Sequence, residues 1–388
     1  MTCRRVAVIG SHAHYLVNFR GALIQAMRAH GHEVLALAPD FDAGTRSELS
    51  AIGVEPVDIS LSRTGLNPVR DFRDIIGLYA QMRRLAPDVV LAYTVKPVIY
   101  GLLAAALARV PRRFALITGL GYVFSEGGSP RDWIIQATVQ QLYRIALRGT
   151  EAVFMQNRDD ADEFVARRIV SCRKIIPVNG SGVDLAAWPV MDLPGPPVTF
   201  ALAARLLGEK GVREYVTAAR QVKAKHPEVR FLLLGGLDSN PSAIKEREVA
   251  SWVAEGVLEW PGHVNMRPWL AQTSVFVLPS YREGIPRSTQ EAMAAGRPVI
   301  TTDAPGCRET VVVGENGYLV PPRDVGSLVG AMLHFVENPQ QIVVMGRNSR
   351  RLAEERFDVR AINERMLSAM GLDETASPEQ ADGSRDGV

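Results

Sequence analysis

Short apolar runs alternate with amphipathic stretches along most of this chain. Residues 6–9, 32–39, 54–60, 87–92, 113–118 and 152–156 are largely apolar runs of strand length, flanked by Gly, Pro or charged residues. Unbroken runs of this kind suit strands buried on both faces. Between them, Leu23, Ala26 and Met27 recur at helical spacing in a stretch that ends near Gly31. Further helices are predicted over Tyr100–Leu107 and Trp133–Leu147. This alternation predicts a doubly wound α/β domain. It resumes with strands over Val198–Ala203, Phe231–Gly235, Val275–Leu278 and Pro298–Thr302, and a helix over Arg213–His226. The stretch between the two series carries prolines at 189, 194, 196 and 197, which marks a linker. The expected fold class is therefore α/β, with two Rossmann-like domains over residues 1–180 and 190–357. Residues 372–388 are polar and acidic and read as a disordered tail.

The helix expected over Asn67–Leu85 carries Val69, Phe72, Ile75, Ile76, Tyr79 and Met82 at helical spacing, with Arg70, Arg73, Arg83 and Arg84 off that stripe. A crossover helix that packs its apolar stripe on the sheet gives this pattern and is the expectation here. A helix lying on a membrane surface gives it too.

With 388 residues there is room for two such domains, and 47% hydrophobic and 22% charged residues exclude a disordered or fibrous chain. The three cysteines, Cys3, Cys172 and Cys307, are scattered, which suggests reduced thiols in a cytoplasmic setting. The first apolar run is too short for a signal peptide, and no run approaches the ~20 apolar residues that span a bilayer. Residues 1–180 hold 22 Lys and Arg against 16 Asp and Glu, whereas residues 181–388 hold 22 against 26. A basic first half fits an anionic partner such as a membrane surface or a phosphorylated acceptor. Nucleic acid is not expected. The loop after the first strand lacks G-x-G-x-x-G, so a nicotinamide cofactor is not expected either. His12 and His14 have no third ligand nearby, and no metal site is expected.

The chemistry concentrates in residues 281–298, Tyr-Arg-Glu-Gly-Ile-Pro-Arg-Ser-Thr-Gln-Glu-Ala-Met-Ala-Ala-Gly-Arg-Pro. This stretch follows the apolar run 274–279. Pro286 suits a helix start, and Gly296 and Pro298 stop that helix. Glu283 then lies in a loop at a strand's carboxyl end, and Glu291 lies one to two turns into the helix. Such loops face the ligand crevice of an open α/β sheet, and backbone N–H groups at a helix start favour an anion such as a diphosphate. Ala203-Ala-Arg205-Leu-Leu-Gly-Glu-Lys210-Gly211 adds two cations on the loop after the second domain's first strand. Arginine offers phosphate a planar fork and lysine a point charge.

Strand, Glu-Gly, Pro, Glu-Ala-Met, Ala-Gly, Pro-Val-Ile closely resembles the E-x7-E signature of retaining glycosyltransferase family 4, and the Arg205/Lys210 spacing is similar to the pair that grips the donor diphosphate there. The resemblance covers about residues 4–370 and implies a GT-B fold, with a last helix over 358–371 packing back on the first domain. It implies that Arg205, Lys210 and Glu283 serve catalysis. Gly10, Gly235, His263, Gly284, Ile285, Pro286, Arg287, Ser288 and Glu291 would bind the donor UDP-sugar, with the His263 segment at the base, Glu291 at the ribose, and Glu283 and the 284–286 backbone at the sugar. Residues 60–68, the Lys96 loop and 114–121, with 235–241 and 306–309, look like the bacterial enzymes that add N-acetylgalactosamine to undecaprenyl-diphosphate-linked bacillosamine. That narrower resemblance implies acceptor contacts at Asn18, Arg20, Arg63, Lys96, Thr118, Gly119 and Tyr122. It also implies a polyprenyl-diphosphate-linked acceptor and peripheral attachment to the inner face of the cytoplasmic membrane. No cofactor or metal is implied. The chain departs from many relatives in having no histidine between His32 and His226. A UDP-sugar epimerase and a non-catalytic nucleotide-sugar-binding protein are the other readings weighed. The histidine-poor sequence argues against the first, and the intact Arg205, Lys210, Glu283 and Glu291 against the second.

Overall fold

A computed structural model describes residues 3–62, 67–120, 130–238, 240 and 242–373, the side chains of 130–132 excepted. Arg63, Tyr122 and the tail beyond Asp373 lie outside the described residues. The chain divides into two compact units: Met1–Met155, Ala161–Val178 and Arg360–Val388 form one, and Gln156–Asp160 with Asn179–Val359 form the other.

The first unit runs β1 (Arg5–Ile9), α1 (Ala13–Ala29), β2 (Glu33–Ala38), α2 (Ala43–Ala51), β3 (Glu55–Asp58), α3 (Pro68–Leu85) and β4 (Val89–Tyr93). A π-helical turn, Pro97–Gly101, leads into α4 (Leu102–Leu107), followed by β5 (Arg112–Ile117), α5 (Pro130–Leu147), β6 (Ala152–Met155), α6 (Arg158–Ala166) and β7 (Ile175–Pro177). The seven strands are parallel in the order β3-β2-β1-β4-β5-β6-β7. One helical layer, built from α3, α4 and α5, covers one face of the sheet, and α1 and α2 cover the other.

The second unit runs β8 (Thr199–Ala203), α7 (Val212–Lys225), β9 (Arg230–Leu234), α8 (Glu246–Ala254), β10 (Glu259–Gly262), α9 (Arg267–Leu270) and β11 (Val275–Leu278). It continues with α10 (Arg287–Ala294), β12 (Val299–Thr302), β13 (Gly317–Val320), α11 (Val325–Glu337) and α12 (Gln340–Arg356). Its six parallel strands take the order β10-β9-β8-β11-β12-β13. Arg297, fully buried, donates to the carbonyls of Leu270, Met191 and Asp192 and so ties the proline-rich linker to this unit. The last helix, α13 (Val359–Met370), buries Ile362, Met366, Leu367 and Met370 in the α1 layer of the first unit.

Two expectations are corrected here. Leu372, assigned to the tail, is fully buried, and its carbonyl bonds the His32 ring at 3.1 Å. The α3 stripe is split: Ile75 and Met82 pack on the sheet-side core as expected, whereas the rest of the stripe faces outward. Val69 and Phe72 are each 65% exposed and Ile76 51%, while the inner face is Asp71, Asp74, Leu78, Met82 and Leu85. The reason is electrostatic. Asp71 accepts from Lys96 Nζ at 3.0 Å, and Asp74 accepts from the Ser60 hydroxyl at 2.8 Å and the Ser62 amide at 3.1 Å. Buried carboxylates must go where their partners are, and those partners lie on the sheet side of the helix.

Candidate active site

Strand order reverses between β8 and β11 in the second unit, so the loops after these two strands diverge and open a crevice at their carboxyl ends. Those loops carry Arg205–Lys210 and Pro279–Glu283. A 3-10 turn over Gly208–Lys210 ends at Gly211, whose φ of 70° is left-handed and whose Cβ, if present, would stand 2.1 Å from the Pro279 carbonyl oxygen. Only glycine permits this approach, and it brings Lys210 against the β11 loop. Lys210 Nζ lies 2.5 Å from Glu283 Oε1, and the Ser280 hydroxyl donates to the same oxygen at 2.7 Å. Both side chains of the ion pair are about six-sevenths buried, at 15% and 14% exposure.

The Glu283 loop is clamped from two sides. Glu283 N donates to Pro305 O at 2.9 Å, and Gly306, at φ 74°, passes so close that a Cβ would lie 2.1 Å from Gly284 O. On the other side stands a group that sequence reading missed. The Asn157 amide donates to Gly284 O at 2.7 Å and to Asp160 Oδ2 at 3.0 Å. Asp160, 1% exposed, accepts from Arg282 at 2.5 Å. Burial pushes the Asp160 carboxyl pKa up, against the pull of Arg282. The only sequence signal was an Asn-x-x-Asp turn after β6, which is common at helix starts.

Pro286 caps α10, with no side-chain hydrogen bond to its first turn. The N–H groups there are available to an anion. One turn in, Glu291 accepts from Arg287 Nε at 2.9 Å and is 15% exposed. Burial raises its pKa above the ordinary glutamate value, with Arg287 opposing. A raised carboxyl pKa means that ionised Glu291 costs folding free energy, and the cost grows as pH rises through the folded value. Glu291→Gln is therefore expected to leave Tm unchanged or higher near neutral pH. If the carboxylate accepts donor hydroxyls, the wild-type KM for donor rises as pH falls toward that raised pKa, and the glutamine variant shows a higher, pH-flat KM. Steady-state KM between pH 5 and 8 checks both.

Arg205 is half exposed and pairs with Asp238 at 3.2 Å. Gly235 follows β9, where a Cβ would meet Ala204 O at 1.8 Å, and Gly236 backs onto His263. His263 is exposed just beyond β10. Ile285 is buried, and Ser288 is partly exposed in the first turn of α10. Gly10 alone of the expected donor residues lies in the first unit, at the β1/β4 reversal, where a Cβ would strike the Tyr93 hydroxyl at 2.4 Å. Among the expected acceptor residues, Asn18 is exposed on α1, with its amide 2.7 Å from His14 Nε2. Arg20 is buried over the Tyr93 ring, and Thr118 and Gly119 follow β5 partly exposed. Lys96 is committed internally, to Asp71 at 3.0 Å and Ser62 at 2.5 Å. Among the described residues no group of three His, Cys, Asp or Glu is placed to hold a metal.

Residues 18–180 match the glycosyl transferase 4-like domain, and residues 197–338 match glycosyl transferases group 1. The N,N'-diacetylbacillosaminyl-diphospho-undecaprenol alpha-1,3-N-acetylgalactosaminyltransferase of Campylobacter jejuni is 26% identical, over 91% of this chain and 94% of its own. The UDP-Gal:alpha-D-GlcNAc-diphosphoundecaprenol alpha-1,3-galactosyltransferase of Escherichia coli is 22% identical, over 75% and 77%. The crystal structure of Anabaena HepE in complex with UDP and glucose superposes with a TM-score of 0.74 at 18% identity, covering 95% of this chain and 99% of that one. With a glycosyltransferase domain matched in each unit, the chain belongs to the GT-B glycosyltransferases of family 4, enzymes that transfer hexosyl groups.

Proposed function

We propose that this enzyme moves an N-acetylhexosamine, N-acetylgalactosamine by preference, from its UDP-sugar to a sugar carried on polyprenyl diphosphate, in bacterial glycan assembly at the inner face of the cytoplasmic membrane. Two relatives support the acceptor class, since both names place the acceptor sugar on a diphosphate-linked undecaprenol. The UDP bound to HepE supports the donor class. The observation that carries the reading is the Lys210–Glu283 pair beside the uncapped start of α10, at the reversal point of the sheet.

In the proposed reaction the acceptor hydroxyl attacks the anomeric carbon on the face from which the diphosphate departs. The bond from that carbon to the diphosphate oxygen breaks, and the hydroxyl proton passes to the departing diphosphate. Configuration is retained. Lys210, Arg205 and the first N–H groups of α10 meet the negative charge that grows on the leaving group, so no metal is needed. Glu283 holds Lys210 in place and lines the donor sugar's position, and no covalent nucleophile is assigned.

Release of UDP by purified enzyme, with a panel of UDP-sugars and short-chain polyprenyl-diphosphate N-acetylhexosamine acceptors, tests this. The expected result is acceptor-dependent release with one UDP-N-acetylhexosamine, unchanged by EDTA, giving an α-linked product by NMR. Turnover of UDP-sugar without acceptor, or loss of activity in EDTA, contradicts it.

A further inference from the structure

Gln156–Asp160 belong to the second unit, although the chain reaches them directly from β6. Asn157 caps α6, its Oδ1 accepting from Asp160 N at 2.8 Å. Capping needs only that oxygen, and serine or aspartate serves as well. The amide nitrogen has a separate use. It donates to Gly284 O at 2.7 Å and to Asp160 Oδ2 at 3.0 Å, and it comes within 3.4 Å of Glu283 O. A carbonyl or an ionised carboxylate can only accept, so the amide has one orientation. Asp160 Oδ1 accepts from Arg282 at 2.5 Å, and Asn157 and Asp160 are 4% and 1% exposed. The positions between them are tied as well. Asp159 pairs with Arg308 at 2.5 Å, and Arg158 N donates to Glu309 at 3.3 Å. Asn157 is thus anchored to the loop after β12 and holds the loop after β11.

Peptide geometry gives this hold a consequence. In a trans peptide the N–H points opposite to the C=O. The Glu283 and Gly284 carbonyls turn to one side, where Asn157 and the close approach of Gly306 meet both. The Gly284 and Ile285 N–H groups therefore turn to the other side. Neither has a hydrogen-bond partner among the described residues. Two successive N–H groups on one side of a loop form a receptor for oxygen atoms. Glycine at 284 leaves both neighbouring peptides free to rotate, so this pose needs an outside hold. Asn157 supplies it.

We propose that Asn157, oriented by Asp160, is a positioning residue for the donor: it fixes the Gly284 and Ile285 peptides so that their N–H groups meet oxygens of the transferred sugar. The proposal rests on the reading that Glu283 and its loop line the donor sugar's position. Asn157 acts only through the two peptides that it holds.

Steady-state kinetics of the full-length enzyme test it. Asn157→Ser keeps the helix cap and loses the reach to Gly284. Tyr215→Phe is the matched control, because it deletes a buried hydroxyl that donates to Phe200 O and Leu232 O in the core of the same unit. Each should lower Tm by about 2–4 °C. Assayed below both transitions, both variants should bind UDP as wild type does. Only Asn157→Ser should raise KM for the UDP-N-acetylhexosamine and lower kcat, each about tenfold. Asp160→Asn has one acceptor oxygen for two donors, Asn157 and Arg282, and should show the same split at smaller size. Wild-type KM and kcat in Asn157→Ser overturn the proposal. So do UDP affinity lost in step with activity, or equal kinetic losses in Tyr215→Phe, because a merely structural contact acts that way. Amide hydrogen exchange over 281–288 without ligand separates the hold from the sugar reading beneath it. Faster exchange in Asn157→Ser, with no UDP-N-acetylhexosamine bound or turned over by wild type, keeps the hold and overturns the sugar contact. Unchanged exchange, with UDP-N-acetylhexosamine turned over by wild type, overturns the hold and leaves the sugar reading standing.

Discussion

Replacing Lys210 by alanine is expected to lower kcat about 100- to 1,000-fold, the range seen when one preorganised partner of a developing anion is removed. The structure adds a complication. Lys210 and Glu283 are both largely buried and bonded to each other, so the single variant leaves the glutamate's charge uncompensated and costs on the order of 1–3 kcal/mol of stability. Lost rate and lost fold then have to be told apart. The double variant Lys210→Ala/Glu283→Gln removes both charges and keeps the Ser280 contact possible. It should recover most of the lost Tm and none of the lost kcat. Recovery of rate together with Tm would mean that the lysine serves the fold alone.

Gly306→Ala is the second large effect. At φ 74° an alanine is strained by ~1–2 kcal/mol. The more serious consequence is steric, because its Cβ would stand 2.1 Å from Gly284 O and 2.3 Å from Glu283 O. Those carbonyls belong to backbone held by Asn157 and Pro305, so the Glu283 loop must shift. A displacement near 1 Å at a positioning loop costs about 100-fold in rate. Gly314→Ala is the control: its φ is 78°, but nothing lies within 4 Å of the added Cβ. Gly314→Ala should lose only the stability that its φ costs, Gly306→Ala more because of the clash, and only Gly306→Ala should lose activity. Equal kcat in the two would show that the loop's placement is not rate-determining.

The strand–helix alternation and the Glu283–Glu291 stretch were legible because their signals are local. A run of apolar residues marks a doubly buried strand, and Gly296 and Pro298 stop a helix wherever they stand. What was not legible depends on partners distant in sequence. Lys210 and Glu283 read as two independent charged groups, 73 residues apart, and the structure joins them. Lys96 read as a cation free to meet an acceptor, yet its partner Asp71 lies 25 residues earlier. The same pair turns part of the α3 stripe outward. Amphipathic spacing alone assigns the whole apolar stripe to the core, and only the buried partners of Asp71 and Asp74 show that Val69, Phe72 and Ile76 face out while Ile75 and Met82 stay in. Asn157 was invisible for a related reason, since it acts on the carbonyls of Glu283 and Gly284, more than 120 residues away.

Binding of UDP, measured by isothermal titration calorimetry in EDTA, tests most directly the claim that the second unit's cations and the start of α10 hold the donor diphosphate. One-site binding to wild type, weakened at least tenfold in Lys210→Ala/Glu283→Gln and in Arg205→Ala, is the result this account predicts. Equal affinity in all three proteins, or wild-type binding that appears only when a divalent cation is restored, would contradict it.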